Sequence, residues 1–124
     1  MMLRRIVLAL LIWAGAMAQA QTPPLKRFLL RIEPVRKVFT LLNMTADERK
    51  IVQEHFLYLK SLHAEGKVAL AAQVFDPKGL WGLIIVNAAD AEAARAILDA
   101  DPTIKTGMFR GEVMPTRVVL DVRN

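Results

Sequence analysis

The chain contains no cysteine. Neither a disulfide framework nor a lipid-modified cysteine is available, so the fold must be held by its core alone. Histidine is scarce too, with two in 124 residues. His55 and His63 stand eight positions apart in what reads as one helix, about 12 Å along its axis and too far to share a metal with ~2 Å bonds. There is no glycine-rich phosphate loop and no serine nucleophile elbow, so no cofactor, metal or acyl-enzyme chemistry is expected. No apolar run reaches the ~20 residues of a comfortable membrane span.

The longest such run, Ile6 to Ala18, follows Arg4 and Arg5 and ends at Ala18-Gln19-Ala20. A basic start, a short apolar stretch and a small-x-small site make residues 1–20 a secretory signal peptide, with Gln21 as the mature N-terminus. An uncleaved anchor is the competing reading. Residues 21–124 are then one exported domain, periplasmic or secreted, large enough for a single core. Without the two leader arginines, 15 basic residues face 12 acidic ones. A net charge of +3 scattered along the chain does not point to nucleic acid. Lys78-Gly79-Leu80-Trp81-Gly82 faintly echoes an RNA-recognition strand, but Leu80 and Leu83 stand where stacking aromatics are needed.

After the tether Thr22-Pro23-Pro24, Leu25 to Ile32 reads as a strand that Pro34 ends, followed by a loop over 33–44. Thr45 and Glu48 form a capping box for a long helix that Gly66 closes. Lys67 to Phe75 and Leu80 to Asn87 read as strands around an Asp76-Pro77-Lys78-Gly79 turn. A helix follows over about 89–99, capped by Asn87 or Asp90, and then a loop over 100–107. The last strand reads as Met108 to Val122, with Pro115 at an edge or bulge. The order strand, helix, strand, strand, helix, strand is the ferredoxin-like βαββαβ arrangement, an α+β fold with helices on one face of the sheet. The bare face should hold a second copy or a ligand, with either Leu83 and Ile85 or Ile84 and Val86 pointing into it.

On the long helix, Ile51, His55, Tyr58 and Leu62 project within one narrow sector, flanked by Val52 and Leu59. A histidine there needs a partner, because an unsatisfied buried polar group costs about 1–3 kcal/mol. Asp101, just past the second helix, is the candidate. A carboxylate on one ring nitrogen fixes the tautomer and leaves the other as an acid or base near neutral pH. Arg31, Arg36 and Gln73 are candidate donors to a developing oxyanion, and the Tyr58 hydroxyl is a weaker one. Blander readings stand beside this one. His55 also suits a satisfied core position, and Asp101-Pro102 with Gly107 suits the cap, first turn and stop of a one-turn helix. Phe56, Leu57 and Tyr58 read as packing, His63 and Glu112 as surface residues.

The helix with His55-Phe56-Leu57-Tyr58-Leu59 at its centre, the glycine before the second strand, Asp101-Pro102, Gly107-Met108-Phe109 and Glu112 together resemble the YCII-related (YciI-like) domain family. The resemblance runs from Leu25 to about Val119. It implies a homodimeric α+β barrel, two ferredoxin-like sheets packed around a cavity, with His55 and Asp101 as the catalytic dyad. It further implies a cofactor-independent lyase or isomerase acting on a small organic substrate; the alternative is a non-catalytic module that binds a small ligand or supports a dimer. Where that family often has Gly-Pro in the second strand, this chain has Ala72-Gln73, near the expected pocket.

The leader generates a prediction of its own. Intact-mass analysis of protein recovered outside the cytoplasm should give a chain beginning at Gln21; retention of residues 1–20 in a membrane fraction would show an anchor instead.

Overall fold

The computed structural model describes residues 24–122; the proposed cleavage site after Ala20 lies outside them. Seven elements follow in order: β1 (Lys26–Pro34), α1 (Ala46–Ala64), β2 (Val68–Asp76), β3 (Gly79–Ala88), α2 (Ala91–Asp99), α3 (Pro102–Lys105) and β4 (Phe109–Pro115). The strands form one antiparallel sheet in the order β2-β3-β1-β4. This is the ferredoxin-like α+β topology, with one short helix added between α2 and β4.

Local chemistry sets the boundaries. Thr45 caps α1: its hydroxyl accepts from the Glu48 N–H at 3.1 Å, and the Glu48 carboxylate accepts from the Thr45 N–H at 3.2 Å, so two otherwise orphaned donors are satisfied reciprocally. At the other end Gly66 adopts φ +77°, the left-handed conformation that lets its own N–H reach His63 O and that of Lys67 reach Leu62 O. The chain can then turn directly into β2. Asp90 caps α2, its carboxylate accepting from the Ala93 N–H at 2.8 Å. Asn87, the other candidate cap, instead donates its amide to Gly66 O and accepts from Arg27.

Strand alternation divides the sheet into two unlike faces. The register pairs Phe28 with Val86, Leu30 with Ile84 and Ile32 with Gly82, and all but the glycine are core residues packed with Leu59 of α1 and Leu98 of α2. The intervening pairs, Leu29 with Ile85 and Arg31 with Leu83, point the other way. Of the two pairs weighed from sequence, Leu83 and Ile85 therefore line the face without helices, and Ile84 and Val86 are core. On β2 the same face carries Leu70, Ala72 and Val74; on β4 it carries Glu112 and Met114.

Two expectations need correction. The last strand stops at Pro115, not Val122: proline has no N–H to continue the ladder, and Thr116 turns the chain by donating both its N–H and hydroxyl to Arg27 O. Within 100–107, Asp101 and Pro102 open the one-turn helix α3, as their spacing suggests. Phe56 and Leu57 are largely exposed: Leu57 falls on the side of α1 away from the sheet and Phe56 on the flank that borders the cavity toward β2, whereas Tyr58 packs against the core.

Candidate functional site

The site is assembled where α1 meets the α2–α3 connection. Asp101 is almost fully buried, and its placement follows from its role at the start of α3: it caps that turn, with Pro102 supplying a preset first helical φ. Its Oδ1 accepts from the Thr103 N–H at 2.9 Å and from the Thr103 hydroxyl at 2.7 Å, and Thr103 is itself fully buried. The carboxylate cannot swing away.

His55 reaches this fixed acceptor from two turns inside α1. Its Nδ1 lies 2.9 Å from Oδ1 and 2.7 Å from Oδ2 of Asp101. An ionised carboxylate can only accept, so Nδ1 carries the proton and Nε2 of the neutral ring holds its lone pair outward. The cap and the contact with His55 are thus not alternatives. One side chain caps a turn and binds the imidazole.

Next to His55, between α1 and the sheet, is a cavity of about 460 Å³, within the usual range for small-molecule sites. Its walls are mostly apolar, including Phe39, Val52, Leu59 and Phe109. Besides His55, the polar side chain on the lining is Gln73; Trp81 borders the cavity too, but strand parity and the stacked Arg31 put its ring on the other face of the sheet. Gln73 pairs with Gly82 on the helix-covered side of the sheet. There a Cβ at position 82 would lie 2.7 Å from Ile32 Cγ1, so the glycine leaves Ile32 its room. Ala72 of the Ala72-Gln73 step faces the opposite side. The departure from Gly-Pro therefore places an amide, in lieu of a proline ring, on the cavity wall.

The other proposed donors lie elsewhere. Arg31 is on the bare face, its guanidinium 4.6 Å from the centre of the Trp81 ring. Arg36 latches the 35–44 loop to α1: it pairs with Glu48 at 3.1 Å, donates to Asn43 and to Val38 O, and lies over the Phe39 ring. This latch holds Val38 at φ +56°, a left-handed conformation costly for a β-branched residue, by bonding its carbonyl from Arg36 and, at 2.6 Å, from Asn43. The result is that Phe39 is turned inward onto the cavity, edge-on to Phe109. Glu112 is exposed on the bare face, and His63 donates Nδ1–H to Val68 O at 2.8 Å, both away from the site. Among the described residues, no three His, Asp or Glu side chains converge as metal ligands.

Sequence reasoning missed Thr103, Phe39 and Trp81. The pattern Asp-Pro-Thr, with a hydroxyl two residues beyond a candidate cap, could have pointed to Thr103. Phe39 and Trp81 reach the site only through the loop latch and the sheet register, neither of which is a local signal.

The family model describing a YCII-related domain matches residues 30–117. That is well over half of the sequence and spans every element of the site, and the chain belongs to this family. Among curated proteins, none matches the chain.

Tyr58, one turn beyond His55, donates its hydroxyl to Ile97 O at 2.6 Å. Burial, with the negative charge of Asp101 adding to it, pushes the phenol up to about 12 from the ordinary 10. The folded state then holds this proton more tightly than the unfolded chain does. Its contribution to stability is complete below pH 10 and is lost as pH rises from 10 to about 12. Because Tyr58 is the sole tyrosine, ultraviolet titration of phenolate reads it alone. We expect no ionisation at pH 10.5 in the folded protein and a normal titration in denaturant; half-ionisation near pH 10 in both would contradict the buried, bonded hydroxyl.

Proposed function

We propose that this YCII-related protein is a small cofactor-independent lyase or isomerase, in which Nε2 of His55 removes or returns a proton on an organic molecule held in the adjoining cavity. One observation carries the reading: Nδ1 of His55 is bound to a buried carboxylate while the same ring lines the cavity, so the free nitrogen is the one a ligand meets. Asp101 orients the ring, holds its tautomer and stabilises the imidazolium formed when Nε2 takes a proton. Gln73 is the neutral donor able to reach a developing oxyanion. A non-catalytic ligand-binding module is the second reading, favoured by the lack of any lysine or arginine on the cavity lining.

Turnover separates the two. Deuterium exchange from D2O into a panel of small carbonyl compounds with an acidic α-hydrogen should fall about 10²–10⁴-fold in His55→Gln, with little loss of stability. Asp101→Asn should also lose exchange, but at a cost of roughly 1–3 kcal/mol in denaturant unfolding, because it disturbs the buried acceptor of both His55 and Thr103. Equal exchange by the parent protein and His55→Gln would leave the binding module standing.

We further propose that two copies pack through the bare sheet face, where Leu29, Leu83, Ile85 and Met114 are only partly covered and Leu70 is about half exposed. Light scattering at micromolar concentration should give twice the mass of one chain, and Leu83→Asp should halve it. A monomer before substitution would remove the barrel.

A further inference from the structure

A second cavity of about 560 Å³ abuts the first at the end of the sheet and has the opposite character. The two share Pro34, Phe39, Leu80 and Trp81 as walls. Five cationic side chains line the second one, Arg31, Arg36, Lys37, Lys78 and Arg110, against the acids Glu33 and Asp76. Two of the five are compensated: Arg36 by Glu48, and Arg110 by Glu33 at 2.7 Å. Arg31 is left 3.9 Å from that same Glu33, and Asp76 is occupied in accepting from the Lys78 backbone N–H. Among the described residues, Lys37 and Lys78 take part in no ion pair.

Trp81 borders both cavities at the end of the sheet, with its ring on the bare-face side beside Arg31. Its Nε1–H is buried without any hydrogen-bond partner, alone in this among the side-chain polar atoms of the described residues, and the Arg31 guanidinium covers its ring. A buried donor with no acceptor costs free energy until one arrives, and beside a lining in which cations outnumber acids the fitting acceptor is an anionic oxygen. The first cavity offers such a group no fixed positive charge, so a carboxylate placed there would be desolvated without a counterion.

We propose that the ligand is an amphiphilic organic acid: its apolar or aromatic body fills the His55 cavity, and its carboxylate seats in the second cavity on Arg31, Lys37, Lys78 and the Trp81 Nε1–H. This rests on the reading of the His55 cavity as a ligand site and names the substrate class for it. The carboxylate then anchors one end of the molecule, and the reacting carbon lies toward Nε2.

The probes are 2-naphthoate and its neutral counterpart 2-naphthamide, titrated calorimetrically into the full chain at low ionic strength. Naphthoate should bind at least about tenfold more tightly, and salt at about 0.5 M should narrow the gap by screening. It should also shift the Trp81 indole N–H resonance. Lys37→Gln combined with Lys78→Gln, both exposed positions, should weaken naphthoate about tenfold and leave naphthamide within about twofold. Equal affinities for the two probes, no binding of either, or an unchanged naphthoate affinity in the lysine variant would overturn the inference. Loss of the naphthoate preference alongside His55-dependent exchange sinks this inference alone. A preserved preference without His55-dependent exchange sinks the acid–base reading alone.

Discussion

The bond between His55 and Asp101 is the constraint on which the rest of the site depends. Burying a carboxylate in a small core is costly unless its oxygens are occupied, and here four contacts occupy them, two from Thr103 and two from His55 Nδ1. His55 and Asp101 stand 46 residues apart in sequence. The pair therefore ties α1 to the α2–α3 connection as well as orienting a base. Under the proposed function, chemistry and architecture would use the same atoms, so the two roles of Asp101 could not be separated by removing it. Thr103 holds the cap through Oδ1 alone, so a replacement for His55 that costs little must still offer an N–H to Oδ2, as the amide of His55→Gln can.

The division of the sheet into unlike faces follows from strand parity. A period of two, fixed by the register of β1 against β3, sends Leu30, Ile84 and Val86 under the helices and Leu29, Leu83 and Ile85 away from them. The same parity puts Gln73 on the cavity side and Ala72 and Arg31 on the other. A one-residue slip would exchange these sets and destroy core and cavity together, which is why the pairing is strongly specified.

Much of this was legible in the sequence because it is local. The Thr45–Glu48 capping box, the left-handed Gly66 and the βαββαβ order are each fixed by residues within a few positions of one another. The pairing of His55 with Asp101 could be proposed because a polar group on an apolar stripe demands a partner and few are on offer. What was not legible depends on distant parts of the chain. Which β3 residues face the core is decided by the register with β1. The end of β4 at Pro115 is decided by Thr116 reaching back to Arg27, and Arg36 is drawn from the site by Glu48 and Asn43. Phe56 and Leu57 read as packing from composition alone, but angular position on α1 turns Leu57 away from the sheet and leaves Phe56 half in the open mouth of the cavity.

The contents of the cavity limit the chemistry proposed for it. Proton abstraction by Nε2 creates an imidazolium and a carbanion together, inside walls that are mostly apolar. Asp101 balances the imidazolium at 2.7 Å, whereas the cavity offers the carbanion only neutral donors such as Gln73. In a low-dielectric site the nascent ion pair attracts itself strongly, but a long-lived enolate would need fixed positive charge nearby to persist. Such a site favours reactions in which the negative charge is discharged at once, by loss of a leaving group from the adjacent carbon or by reprotonation on the imidazolium. Elimination and short-range proton transfer meet that condition. Carbon–carbon bond formation, which requires the carbanion to wait for a second partner, does not.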